Sequence, residues 1–159
     1  MSIDLENIIK VTVSGLRGGE EAAVIALITA CGLPAEDLTP QKLRHFVIAR
    51  KGDHPVGTAG LEILGRQSLL RSLAVAEAYR GRGIAEKLVT AAERYALSLG
   101  IDTLYLLTVT AERLFVGMGY TRIDRSAAPP EIRATEEFKC LCPEHSVCMK
   151  KQLSKPICR

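Results

Sequence analysis

Residues 69–88 read LLRSLAVAEAYRGRGIAEKL, and this stretch decides the fold. Leu69 to Val75 is apolar and strand-like, a short loop follows, and Arg80-Gly81-Arg82-Gly83-Ile84-Ala85 opens a helix. Ile84, Leu88, Ala92, Tyr95, Ala96 and Leu99 recur mainly at intervals of three and four, giving an amphipathic helix that Gly100 stops. Thr103 to Val109 is then a near-continuous apolar run, as in a strand buried on both faces. Strand, helix and strand in that order predict a crossover at the centre of a sheet.

The helix start carries the chemistry. Its first backbone N–H groups have no partner within the helix, and the helix dipole adds partial positive charge there. Small residues such as Gly81, Gly83 and Ala85 let an anion approach the backbone, and a pyrophosphate is the natural guest. A bland turn with solvated Arg80 and Arg82 would account for the glycines alone, but not for the strand, loop, helix and buried strand around them. Two other phosphate motifs fit badly. The Gly-Lys-Ser/Thr ending of a P-loop is missing, and a dinucleotide-binding turn would follow the first strand rather than lie mid-chain.

Upstream, Ile8 to Leu16 reads as a strand, Glu20 to Cys31 as a helix stopped by Gly32, and Leu33 to Lys42 as a loop with a short helix. His45 to Ala49 and Val56 to Leu64 read as strands joined by the turn Lys51 to Pro55, and Gly65-Arg66 turns the chain into Ser68 to Val75. These three strands are expected to be consecutive and antiparallel. Downstream come a helix at Ala111 to Met118, a strand at Tyr120 to Ile123, a helical stretch from Pro129-Pro130 to about Phe138, and a closing strand at Ser146 to Leu153.

The 159 residues suffice for one domain with an unstapled core, and residues 1–159 are read as that domain. A net charge of +3, without a dense basic run, argues against nucleic acid as a partner. The longest mostly apolar run, Ala22 to Leu33, is too short to span a bilayer. The acidic start MSIDLEN lacks the order of a signal peptide, so a cytoplasmic protein is expected, with no membrane partner. Five cysteines in such a compartment are expected to be free thiols.

The segment around Arg80, Gly83 and Ala85 resembles motif A of the GNAT superfamily of N-acetyltransferases, Q/R-x-x-G-x-G/A. The resemblance runs from about Val11 to Met149, and Ala111 to Tyr120 resembles the family's later helix. Gly60-Leu61-Glu62, Leu69 to Ser72, and Ile132 to Pro143 look like the arsenic-resistance-associated N-acetyltransferases within it. The resemblance implies an α/β fold: a mixed, mostly antiparallel sheet of six to seven strands, flanked by helices. Leu70 to Val75 would splay from Thr103 to Val109. It implies acetyl-CoA as co-substrate, the pantetheine arm held by backbone groups of Leu73, Ala74 and Val75, and the pyrophosphate held by Arg80, Gly81, Arg82, Gly83, Ile84 and Ala85. The partner would be a small-molecule amine, and a homodimer is compatible with the family.

The implied reaction is direct attack of an amine on a thioester. An amine of pKa about 10 is almost wholly protonated at neutral pH and needs a base. Glu62, a charged residue in the apolar run Val56 to Leu64, is the candidate, with a strand-end surface role as the alternative. If Gly65-Arg66 is a two-residue turn, Glu62 pairs with Leu69 and shares a face with Arg71. The backbone N–H near Val75 is the candidate donor to the carbonyl oxygen. Arg71, among leucines, suits a substrate carboxylate or other oxyanion, or else partners Glu62.

Many relatives carry tyrosine where this chain has Phe115, a residue proposed to protonate the leaving thiolate. Tyr105 or Tyr120 could substitute, although both read more simply as packed aromatics. Cys140, Cys142 and Cys148 invite a metalloid reading, but their spacing matches no usual zinc pattern, and Cys140 and Cys142 would share one face of a strand. No metal is expected. Two rivals stand beside the enzyme: an acyl-CoA-binding sensor that does not catalyse, and a Cys-tail metalloid binder on the same scaffold.

Overall fold

The computed structural model describes residues 11–154. Its strands form one seven-stranded sheet in the order β1 (Thr12–Gly15), β2 (Phe46–Lys51), β3 (His54–Leu64), β4 (Gln67–Val75), β5 (Thr103–Thr108), β7 (Val147–Gln152), β6 (Thr121–Ile123). The expected first strand is shorter than its sequence signal, and residues 8–10 lie outside the described residues. Every neighbouring pair is antiparallel except β4 and β5, as the central crossover requires. The helices are α1 (Glu21–Ala30), α2 (Pro40–Leu43), α3 (Ile84–Ser98), α4 (Glu112–Gly117) and α5 (Pro130–Arg133). Among the described residues no helix is long and apolar enough to cross a membrane.

One face of the sheet is covered by α3. Ile84, Leu88, Val89, Ala92 and Ala96 pack there against Ala49, Val56, Leu61 and Leu70. The opposite face is covered in two halves. Val24 and Ile28 of α1 and Leu43 of α2 sit on Phe46, Ile48 and Ala74, while Ile132 and Phe138 sit on Leu69, Tyr105 and Cys148. The first half is tied to the sheet edge by Arg50, whose fully buried guanidinium donates to both oxygens of Glu20, to Ser14 Oγ and to the carbonyl of Gly15.

Three expectations need correction. The β2–β3 turn is tighter than Lys51 to Pro55, because Lys51 and His54 still pair and only Gly52 and Asp53 turn, with Gly52 at φ +62°. The C-terminal strand joins the sheet from within: β7 inserts between β5 and β6 and pairs with both. The stretch after Pro129 is not one helix. It stops at Arg133, and a wide π-type turn follows at Glu137–Leu141. Cys140 lies in that turn and Cys142 just after it, so they do not share a strand face; Cys148, on β7, packs with Leu69 and Phe138.

Candidate active site

Strands β4 and β5 pair only through Gln67–Thr103, Ser68–Leu104 and Leu69–Tyr105, and then separate. Part of the cause is in β4 itself. Gly60 faces Arg71 but Thr58 faces Ala74, so the strand holds an extra residue at Ser72–Leu73, and Ser72 adopts a positive φ of 57°. Such a bulge bends a strand and increases its twist. Ala76 donates its N–H to Val56 on β3, so by strand alternation the N–H and C=O of Val75 face away from β3, towards the gap. There the Val75 carbonyl accepts from Arg80 Nε at 2.9 Å and from the Cys31 thiol at 3.6 Å.

The 15-residue helix α3 begins beyond the end of β4, with Gly83 at its N-cap. No side chain caps it, so its first N–H groups are left to solvent or to a ligand. Gly81 and Gly83 have φ of +76° and +77°, the left-handed region that glycine occupies without strain. A Cβ at Gly81 would meet no atom within 4 Å, and one at Gly83 only Glu86 Oε2 at 3.9 Å, so the approach to this backbone is open. An uncapped helix start beside a wedge between two strands fits a pyrophosphate followed by an extended arm.

A cavity of about 700 Å³ lies over the gap between the two covering halves of the sheet. Its floor is Leu70 to Leu73 of β4 and Leu106 to Val109, and its flanks are Cys31 to Pro34 and Cys140 to Pro143. Phe115 lines it, buried, with its ring 5.2 Å from Tyr120 in an edge-to-face contact. The Tyr120 hydroxyl donates to Glu93 Oε2 at 2.8 Å, and burial followed by the Glu93 charge holds its pKa well above the ordinary phenol value. Tyr105 packs on the opposite face with Leu69 and Phe138. Neither tyrosine lines the cavity.

On the cavity floor sits Arg71, its side chain wholly buried. The two-residue Gly65-Arg66 turn brings Glu62 opposite Leu69, and Glu62 Oε1 accepts from Arg71 Nη1. Asp37 takes the guanidinium with both oxygens, at 2.6 and 2.8 Å. Glu137 Oε1 lies 3.2 Å from Nη2, Ser72 Oγ accepts from Nε, and the Pro34 carbonyl lies at 3.5 Å. Lys42 adds a second cation on Asp37 at 2.8 Å. Burial pushes the Asp37 carboxyl up, but hydrogen bonds from Arg71 and Lys42 outweigh it and hold the group at about 2. Glu137 moves the other way: burial raises it more than Arg71 lowers it. The Cys142 thiol, which donates to Glu137 Oε2 at 3.5 Å, is pushed up to about 12 by burial and then by the Glu137 charge.

Of the sequence-predicted site residues, Leu73 and Arg71 line the cavity; Ala74, Val75 and the Arg80 to Ala85 turn do not, although Arg80 reaches the Val75 carbonyl. The fold ties Glu62 to Arg71 rather than to the cavity wall. Asp37, Glu137 and Ser146 did not stand out in the sequence. Glu137 falls in the stretch expected to be helical and Ser146 at the start of the expected closing strand, and only tertiary packing brings them and Asp37 near Arg71 or the cavity. Among the described residues no group of His, Cys, Asp or Glu is arranged to hold a metal ion.

A mixed sheet with a splayed parallel strand pair, an uncapped helix start after β4 and a cavity over the gap define the α/β architecture. Residues 22–120 match the family described as Acetyltransferase (GNAT) family, and the chain belongs to it. No curated protein matches the sequence. N-acetylglutamate synthase from Neisseria gonorrhoeae, complexed with coenzyme A and N-acetyl-glutamate, superposes with a TM-score of 0.80 at 18% identity. The match covers 92% of this chain and 36% of that one, so this chain spans about a third of that enzyme. A Mycobacterium tuberculosis protein in complex with CoA gives a TM-score of 0.77 at 21% identity, covering 90% of this chain and 99% of that one. A GNAT-family acetyltransferase from Staphylococcus aureus gives 0.72 at 18%, covering 91% and 100%.

Proposed function

We propose that the chain is an acetyl-CoA-dependent N-acetyltransferase that moves an acetyl group to a small amine. The single observation that carries this reading is that β4 parts from β5 after Leu69 and leads, with Arg80 on the Val75 carbonyl, into the uncapped start of α3. Backbone groups of Leu73, Ala74 and Val75 would hold the pantetheine arm, and the N–H groups of Gly81 to Ala85 the pyrophosphate, with Arg80 and Arg82 beside them. The bound co-substrate supplies an activated thioester. The Val75 N–H, turned into the gap, is the donor placed to receive the charge that develops on the carbonyl oxygen. The subgroup resemblance raises two narrower acceptor classes, amino-acid-like and arsenic-bearing amines.

Incubating the protein with acetyl-CoA and a panel of amines, with release of free thiol as the readout, tests the reading. Turnover with one class of amine supports it. Tight CoA binding without turnover on any amine would favour the acyl-CoA sensor, the rival that Phe115 prompts. Failure to bind CoA would remove the reading altogether.

A further inference from the structure

The Arg71 side of the cavity is built on an unbalanced set of charges. Arg71 and Lys42 face three carboxylates, those of Asp37, Glu62 and Glu137, and no acid of the three has a side chain more than 12% exposed. Of these three, only Glu137 lines the cavity; Glu36 also lines it, at the exposed rim. Glu137 lies 3.2 Å from Arg71 at one oxygen and accepts from the Cys142 thiol at 3.5 Å at the other. A carboxylate offers about four lone-pair sites, so acceptor capacity is left over.

A second, separate feature lies in the same wall. Ser146 is 6% exposed, lines the cavity, and its hydroxyl is the one buried side-chain polar atom among the described residues without a hydrogen-bond partner in the protein. An orphaned buried hydroxyl costs free energy unless something else bonds it. The remaining wall is largely apolar, with Leu33, Pro34, Leu107, Phe115 and Leu141. Among the described residues the only basic side chain in it is Arg71, and its N–H groups are directed at Ser72, Asp37, Glu62 and the Pro34–Glu137 side. The cavity therefore offers an anion to a cation and offers a carboxylate no free cation.

We propose that Glu137 is the residue that receives the acceptor, binding its ammonium and taking its proton, and that the acceptor is a primary alkyl- or arylalkylamine without a carboxylate. The Ser146 hydroxyl is the second polar contact on offer. This rests on the acetyltransferase reading. One ammonium proton passes to the Glu137 carboxylate and on to solvent. The freed lone pair forms the C–N bond at the thioester carbonyl as the C–S bond breaks, and the second N–H proton ends on the leaving sulfur. The products are the amide, the thiol and one released proton. Glu62 and Arg71 are positioning residues in this scheme. The charged or titratable groups facing Glu137 are Arg71 on β4, Asp37 from the α1–α2 loop, Glu62 on β3 and Cys142 beyond its own turn.

The test compares 2-phenylethylamine with phenylalanine, which differ by one carboxylate, on the intact chain with acetyl-CoA. Wild type is expected to prefer 2-phenylethylamine by more than about 10-fold in kcat/KM. Glu137→Gln should lower that kcat/KM by about 10²-fold and remove the acid limb of its pH profile, while Glu62→Gln keeps the limb and both keep their CoA affinity by calorimetry. An unchanged KM and acid limb in Glu137→Gln, or equal use of phenylalanine, would overturn the proposal. So would a CoA-loaded wild type that neither binds nor acetylates 2-phenylethylamine. A wild type that does not bind CoA would overturn the acetyltransferase reading and this inference with it. If Glu137→Gln does not fold by circular dichroism, Glu137→Asp draws the charge back by one methylene. A KM raised about 10-fold is then expected, and an unchanged one sinks the proposal.

Discussion

Asp37 and Arg71 meet through two parallel hydrogen bonds, 2.6 and 2.8 Å long, across 34 residues of chain. This planar fork joins the loop after α1 to the bulged strand β4, two elements that both line the cavity. Arg71 is at once the floor of the site and a stability element. Removing one partner of a buried pair leaves uncompensated charge, which is the costly half of the arithmetic.

Arg71→Met should therefore destabilise the chain by about 3–5 kcal/mol, since it leaves Glu62 and Glu137 without their cation and Asp37 with Lys42 alone. Urea denaturation at neutral pH measures this. A loss below about 1 kcal/mol would mean that the carboxylates relax into solvent.

The two acids on either side of Arg71 should give opposite pH dependences. Asp37 is lowered from 3.8 to about 2, so its contribution is fully present above pH 3.8 and is lost as pH falls towards 2. Glu137 is raised above its ordinary 4.5, so the folded state holds the proton more tightly, and stability falls as pH rises from 4.5 through the folded value. In denaturation curves from pH 2 to 7, Asp37→Asn should flatten the acid side. Glu137→Gln should flatten the decline above pH 4.5. Parallel curves for wild type and Glu137→Gln would show that burial does not raise Glu137.

Gly60→Ala should destabilise by about 1–3 kcal/mol or more, because an added Cβ would lie 2.2 Å from Cε1 of Phe46, a ring that is 1% exposed. The substitution would push the ring into Val24, Ile28 and Leu43, the contacts that seat α1 and α2 on the sheet. Thermal unfolding checks it; a variant as stable as wild type would mean that this half of the core repacks freely.

These residues show which parts of the fold a reader of sequence can reach. The register Glu62–Leu69 follows from a two-residue turn and strict alternation, and the helix α3 from its apolar stripe, because both signals are local. The bulge at Ser72 leaves no such trace, since Ser68 to Val75 reads as one unbroken strand. Glu137 was invisible for a different reason. A π-type turn has neither strand nor helix period, and its carboxylate acquires meaning only from Arg71, 66 positions earlier. The insertion of β7 between β5 and β6 is likewise a long-range pairing with no local mark.

Gly83→Glu should abolish CoA binding and also cost about 1–3 kcal/mol of stability, because φ at Gly83 is +77° and any side chain there is strained. Space is not the limit, as the nearest atom to a new Cβ is 3.9 Å away. Gly83→Ala separates the two effects: the same backbone strain without the charge, and a smaller loss of affinity. Calorimetry with CoA on both folded variants decides it. Unchanged affinity in Gly83→Glu would place the pyrophosphate elsewhere.

Phe115→Tyr restores the hydroxyl that many relatives carry, and it should not accelerate turnover. The ring is 4% exposed and packs edge-to-face on Tyr120, so an added hydroxyl that finds no partner costs about 1–3 kcal/mol. The neighbouring phenol is no substitute donor, because Tyr120 already gives its proton to Glu93 at 2.8 Å. A thiol of pKa about 8.5 leaves tolerably as the thiolate, and the ammonium brings protons of its own into the site. Loss of stability in denaturation with kcat unchanged is the expected pair of results. A gain in kcat at constant KM would show instead that protonation of the leaving sulfur limits the wild-type rate, and that this chain is a weakened catalyst suited to binding acyl-CoA.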